Sequence, residues 1–177
     1  MLRRLLAALL PIAYPFVVLW GLRAWGVDFL CAAVLAMGAA QWLLARTKTS
    51  LAVFALSAAL CAGAFAAGEA RVLKLYPVFV NAMMLAVFAA SLSAPQSFIE
   101  RLARLRTPDL APEAVRYTRR LTQVWCVFFV ANGVAALWTA CSANDALWAL
   151  YNGFISYVLI GALMGGEWLW RRFVLKV

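Results

Sequence analysis

The sequence predicts an all-α, polytopic membrane protein of about six transmembrane helices, and three observations predict it. Apolar residues make up 67 % of the chain and charged residues 13 %, against about 45–50 % and about 25 % in ordinary soluble domains. The apolar residues gather into six stretches, each near the roughly 20 residues that a bilayer crossing requires. The segments between them are short with one exception, so residues 1–177 read as a single integral membrane domain with no soluble part.

The first stretch is Leu5–Gly21. Its opening Met1-Leu2-Arg3-Arg4 imitates a signal peptide, but cleavage favours small residues in an A-x-A-like pattern. Leu22-Arg23-Ala24 offers a large and a charged residue there, which predicts an uncleaved span. Pro11 and Pro15, one turn apart, predict a kink in it. The remaining stretches are Val27–Ala45, Leu51–Gly68, Pro77–Ala94, Leu121–Cys141 and Leu147–Trp170. In the last, Gly161 and Gly165 form a GxxxG pair, read as internal helix packing in preference to a dimer seam.

The basic residues orient the chain. With the N-terminus cytoplasmic, only Arg23, Arg71 and Lys74 of the 16 lysines and arginines fall on outer segments. The positive-inside rule therefore places both termini in the cytoplasm. Topology also explains much of the net charge of +9, which removes the ground for a nucleic-acid partner.

Residues 95–120 are the exception among the loops: a cytoplasmic basic segment carrying Arg101, Arg104, Arg106, Arg116, Arg119 and Arg120. Phe98, Ile99, Leu102 and Leu105 recur at helical spacing between charges, which predicts a short interfacial helix. Thr107-Pro108-Asp109-Leu110-Ala111-Pro112 breaks it, and Pro112 suits a first helical turn running from Glu113 into the fifth span. The arginines allow three readings: topology alone, contact with anionic lipid headgroups, or docking of an acidic protein.

An internal symmetry is also visible. Ala13-Tyr14-Pro15-Phe16 resembles Leu75-Tyr76-Pro77-Val78, and Cys31, Gly38 and Trp42 run parallel to Cys126, Gly133 and Trp138. Three spans repeated once give a 3+3 inverted repeat, a transporter architecture.

Polar side chains inside apolar spans mark candidate sites. Asn81 and Asn152 lie about one turn below the outer ends of their spans and Asn132 nearer mid-depth. Tyr76 and Tyr151 stand beside them, with Glu69, Arg71, Lys74 and Asp145 at the rim. The set Lys74, Tyr76, Asn81, Asn132, Tyr151 and Asn152 is thus a candidate substrate-binding site in the outer half of the membrane. The simpler reading is interhelical hydrogen bonding by asparagine with tyrosine anchors at the interface. Glu167 and Arg171, four apart, predict an intramembrane ion pair near the cytoplasmic face. Cys31 and Cys141 both fall near the outer face; pairing is one option, small buried hydrophobes the simpler one.

The chain has no histidine. That excludes Ser-His-Asp and Cys-His catalysis, histidine-ligated haem and HExxH zinc chemistry. The cysteines form no CxxC pair, and no GxxxxGK[ST] or GxGxxG is present, so neither a metal nor any other cofactor is expected. No catalytic constellation is evident. A membrane-embedded transferase is the least favoured class.

The stretch from Lys74 onward resembles a family of small bacterial inner-membrane proteins whose genes lie among those for aryl-polyene and xanthomonadin-type pigment lipids. The matching text is Lys74-Leu-Tyr-Pro77 with Asn81, Ile99-Glu-Arg-Leu-Ala-Arg104, Pro108-Asp-Leu110, Pro112 and Ala114-Val-Arg-Tyr-Thr-Arg-Arg120. It continues through Trp125-Cys126, Asn132-Gly133, Leu150-Tyr-Asn-Gly153 and Tyr157. The resemblance implies an accessory, scaffold or transport role in a pigment-lipid pathway, or a small lipid or polyene flippase subunit. It implies as partners membrane lipids, other pathway membrane proteins and acyl carrier protein, whose acidity suits a basic loop. Members are sometimes labelled ketosynthase-like; a condensing enzyme needs cysteine with histidine partners in a large soluble fold, and this chain has neither.

Overall fold

A computed structural model describes residues 17, 20, 27–67, 69–142 and 144–175. The first predicted span and its proline kink lie outside the described residues. Among those described there are helices and no strands, and five helical segments are long and apolar enough to cross a membrane. The helices are α1 (Val27–Ala45), α2 (Lys48–Ala67), α3 (Tyr76–Leu92), α4 (Phe98–Arg104), α5 (Pro112–Cys141), α6 (Asp145–Leu150) and α7 (Ser156–Trp170). A 3-10 turn over Ala70–Leu75 leads directly into α3, and π-helical turns over Tyr151–Ile155 and Arg171–Leu175 follow α6 and α7.

The chain forms two compact units. One combines the described residues up to Tyr76 with those from Trp138 onward; the other is Pro77–Leu137.

In the first unit, α1 and α2 form a tight hairpin. Arg46 takes the left-handed conformation (φ 48°) that ends α1, and its N–H still reaches Trp42 O at 2.7 Å. Thr47 then caps α2: its Oγ1 accepts from Ser50 N–H at 3.1 Å while Ser50 Oγ accepts from Thr47 N–H at 3.0 Å. The two helices meet along stripes spaced by three and four residues: Leu30, Val34 and Gly38 on α1, and Val53, Ser57, Leu60 and Ala64 on α2. Gly38 is small for a reason: a Cβ there would stand 3.1 Å from the Phe54 ring. Cys31 and Cys61 face each other across this seam, each thiol aimed at the other's carbonyl oxygen at 3.8 and 3.6 Å. All four cysteines are free thiols, and Cys141 is exposed. The neighbour of Cys31 is thus Cys61.

In the second unit, α3 and α5 present an aromatic cluster. The Phe88 ring lies 4.2 Å from Phe98 and 5.1 Å from Phe129, and Trp125 lies 5.7 Å from Phe129. The inner face of α5 carries Thr118, Thr122, Phe129, Asn132 and Ala136, all buried. The opposite face, with Val124, Val127, Val130 and Val134, is exposed, as a lipid-facing helix requires. The loop helix falls where its periodicity places it, and α5 begins at the proline expected to start it.

Candidate functional site

Five helical residues and one lysine make a polar cluster in the first unit. Lys74, on the 3-10 turn, is 2 % exposed. Its Nζ lies 2.8 Å from Asp145 Oδ1 and donates to Ser142 O at 3.4 Å. Trp148, fully buried one turn after Asp145, donates its Nε1–H to the Lys74 carbonyl at 3.1 Å. Asn152, one turn further, donates to Trp148 O at 2.9 Å and to Thr139 Oγ1 at 3.2 Å, and Ser156 Oγ donates to Asn152 O at 3.2 Å. A lysine ammonium in an apolar span is costly unless paired and hydrogen-bonded. Here one carboxylate pairs the charge, and the indole pins the backbone that carries it.

A π turn lies within this cluster: the Ser156 N–H donates to Tyr151 O, five residues back, beside the Asn152 amide on Trp148 O and the Ser156 hydroxyl on Asn152 O. Such bulges occur mostly inside α-helices and frequently at functional sites.

Asn144 fixes where this segment begins: its Oδ1 accepts from Leu147 N–H at 2.9 Å, an N-cap for α6. Asp145 then sits in the first helical turn, where the helix dipole favours a carboxylate.

The second unit holds the other asparagines. Asn132 Nδ2 donates to Asn81 Oδ1 at 3.0 Å, and Asn81 Nδ2 donates to Pro77 O at 2.8 Å. Both are buried. Gly133 permits the approach, since a Cβ there would stand 3.3 Å from Asn81 Cβ. This is interhelical hydrogen bonding between α3 and α5. The two asparagines therefore lie at one level. Sequence placed Asn81 closer to the outer end because the fourth span was started at Pro77; the 3-10 turn lengthens the apolar helical segment to Arg71–Leu92 and carries Lys74 inside it.

The predicted site residues therefore divide. Lys74 and Asn152 share one hydrogen-bonded cluster, with Tyr76 buried and Tyr151 half-buried in the same unit; Asn81 and Asn132 pair in the other. Trp148 and Thr139 belong to the first cluster and were not singled out from sequence. A signal existed: Asp145, Trp148, Asn152 and Ser156 recur at steps of three and four, a polar stripe on one helix face.

The loop arginines also divide. Arg104 pairs with Glu100, Nη2 to Oε1 at 2.9 Å, and donates to Pro108 O at 2.6 Å. Arg101 Nε donates to Gln96 O at 3.1 Å, and Arg119 donates to Leu92 O at the end of α3. Arg106, Arg116 and Arg120 are exposed. Glu167 on α7 and Arg171 at the start of the π turn that follows pair at 2.9 Å. No described residue outside the helix lies within 4 Å of where a Cβ on Gly161 or Gly165 would stand, whereas close helix approaches are made at Gly38 and Gly133.

No family model, curated protein or solved structure matches the chain.

Proposed function

We propose that this chain is a non-catalytic accessory or transport component of an aryl-polyene-type pigment-lipid pathway. In this reading it sits in the bacterial inner membrane with six spans and both termini cytoplasmic. The observation that carries the reading is the buried Lys74, paired with half-buried Asp145, together with the Trp148, Asn152 and Thr139 side chains. Ionisable residues in apolar spans are expensive and characteristically mark substrate or ion pathways. The resemblance supports the pathway: its blocks include Lys74, Asn81, Asn132, Tyr151, Asn152 and the arginine-bearing loop. An inverted repeat belongs to the same reading as a matter of sequence and topology.

A polar cluster of this kind suits a lipid with an anionic or hydrogen-bonding head group, which favours the transport or flippase form of the role. The test is a clean deletion in the native host, with polyene lipid quantified separately in inner and outer membranes. Finished product stranded in the inner membrane is the expected result. Loss of all polyene, or a truncated intermediate, would move the role to synthesis. An unchanged profile would sink the pigment connection. Complementation with Lys74→Met/Asp145→Leu, which removes both charges together, is expected to leave the deletion phenotype in place.

A further inference from the structure

The loop between α3 and α5 is built as a surface. A seven-residue helix is too short to persist alone in water, and α4 is held by its neighbours in the second unit. Phe98 N–H donates to Ser91 Oγ at 2.9 Å, Ile99 N–H to Thr122 Oγ1 at 3.4 Å, and the Phe98 ring packs, tilted, against Phe88. Glu100, the carboxylate that would repel an anion, is buried against Arg104.

What remains outward is ordered. Arg101 and Leu102 on α4, and Leu105 and Arg106 in the turn that ends it, are all exposed. Leu102 is 50 % and Leu105 81 % exposed, and the two exposed arginines flank them. Such an order, leucines centred between cations, is that of a helix lying in a membrane interface. On α5, Arg116 and Arg120 are exposed one turn apart, and the exposed face continues as Val124 and Val127. The change from cationic to apolar thus takes one turn, across the level of Thr122, and Thr122 is the residue that receives Ile99. The helix that carries Leu102 is thus tied, through Ile99, to the polar-to-apolar boundary of α5.

We infer that this face docks anionic phospholipid. Leu102 and Leu105 enter the acyl boundary, and Arg101, Arg106, Arg116 and Arg120 receive headgroup phosphates. Asp109 and Glu113 are the exposed carboxylates of the segment, and the exposed arginines outnumber them. An acidic protein would satisfy the arginines but would gain nothing from two leucines held at the start of an apolar helix face. The inference does not rest on the pigment pathway.

The test uses the full chain, delipidated in non-ionic detergent and titrated with phosphatidylglycerol or phosphatidylcholine, with bound lipid counted by native mass spectrometry. Phosphatidylglycerol is expected to bind at least about tenfold more tightly. Arg106→Gln/Arg116→Gln/Arg120→Gln is expected to erase that preference, since one basic residue at a membrane surface corresponds to about fivefold. Leu102→Gln/Leu105→Gln is expected to weaken both lipids. Raising salt from about 0.1 to about 1 M, which shortens the screening length from about 10 to about 3 Å, is expected to erase the preference in the unaltered chain. Equal binding of the two lipids, or a preference that survives both salt and the triple substitution, overturns the inference. So does arginine-dependent binding of an acidic carrier protein to the chain in phosphatidylcholine vesicles without any phosphatidylglycerol preference.

Discussion

At the scale of the residue, Lys74 sets the energetics of its surroundings. Removing one partner of a buried pair leaves an uncompensated charge and costs about 3–5 kcal/mol, whereas replacing both by apolar groups is often neutral or stabilising. Asp145 is 34 % exposed, so solvent screens part of the attraction. Asp145→Ala is accordingly expected to cost about 2 kcal/mol, below the range for a fully buried pair. Lys74→Met/Asp145→Leu is expected to recover most of that loss. Thermal unfolding of the three purified proteins in one detergent checks both statements. A double variant no more stable than Asp145→Ala would mean that the pair is a structural necessity in this fold. The same experiment sharpens the functional reading: a double variant that folds yet fails in the cell separates a role for the charges from a role in stability.

At the scale of the element, much was legible because the signals are local. The limits of Val27–Ala45, the loop helix, its break before Pro112 and the long α5 all follow from apolar run length, helical spacing and proline. What escaped depends on partners far away in sequence. The 3-10 turn at Ala70–Leu75 has no local signature here, and it is what moves Lys74 from the rim to the interior. The π turn over Tyr151–Ile155 likewise has no local signature in the sequence. Phe98 shares its period with Leu102 and Leu105 but turns inward, because Phe88 offers it a ring at 4.2 Å. The clamp on α4 carries its own prediction. Ser91 Oγ accepts from Phe98 N–H, one of the four amides that a helix start leaves unpaired. Ser91→Ala is expected to cost about 1 kcal/mol, the net value of such a bond. Because the cost falls on a local opening, amide exchange over residues 97–106 should rise about fivefold, the factor that corresponds to this energy, with the spans unaffected. Unchanged exchange would mean that the Thr122 hydrogen bond and the aromatic contact suffice to hold α4.

At the scale of the whole molecule, the cysteines can read out what the charges imply. Cys31 and Cys61 are buried against each other, whereas Cys141 is exposed at the end of α5. That helix starts at Pro112 beside the basic loop and runs 30 residues, about 45 Å at 1.5 Å per residue, enough to cross a bilayer with turns to spare. Arg120 and Trp138 stand on its exposed face about 27 Å apart, close to one hydrocarbon thickness, with apolar side chains between them. A cation at one end of such a stripe and an indole at the other is the pattern of a helix seated between two interfaces. If the loop is cytoplasmic, as its six arginines against three carboxylates require under the positive-inside rule, Cys141 must face the other side. A membrane-impermeant maleimide is therefore expected to label Cys141 in right-side-out spheroplasts and not in sealed inverted vesicles, with Cys141→Ser abolishing the signal. Cys31 and Cys61 are expected to react only after unfolding. Labelling confined to inverted vesicles would turn the molecule over, placing the arginine-rich loop on the outer surface and the Lys74 cluster on the cytoplasmic side. The lipid-docking test would keep its meaning in that case, since it depends on the loop's chemistry and not on its side. The pigment-export reading would not, because the cluster would then face the compartment where the lipid is made.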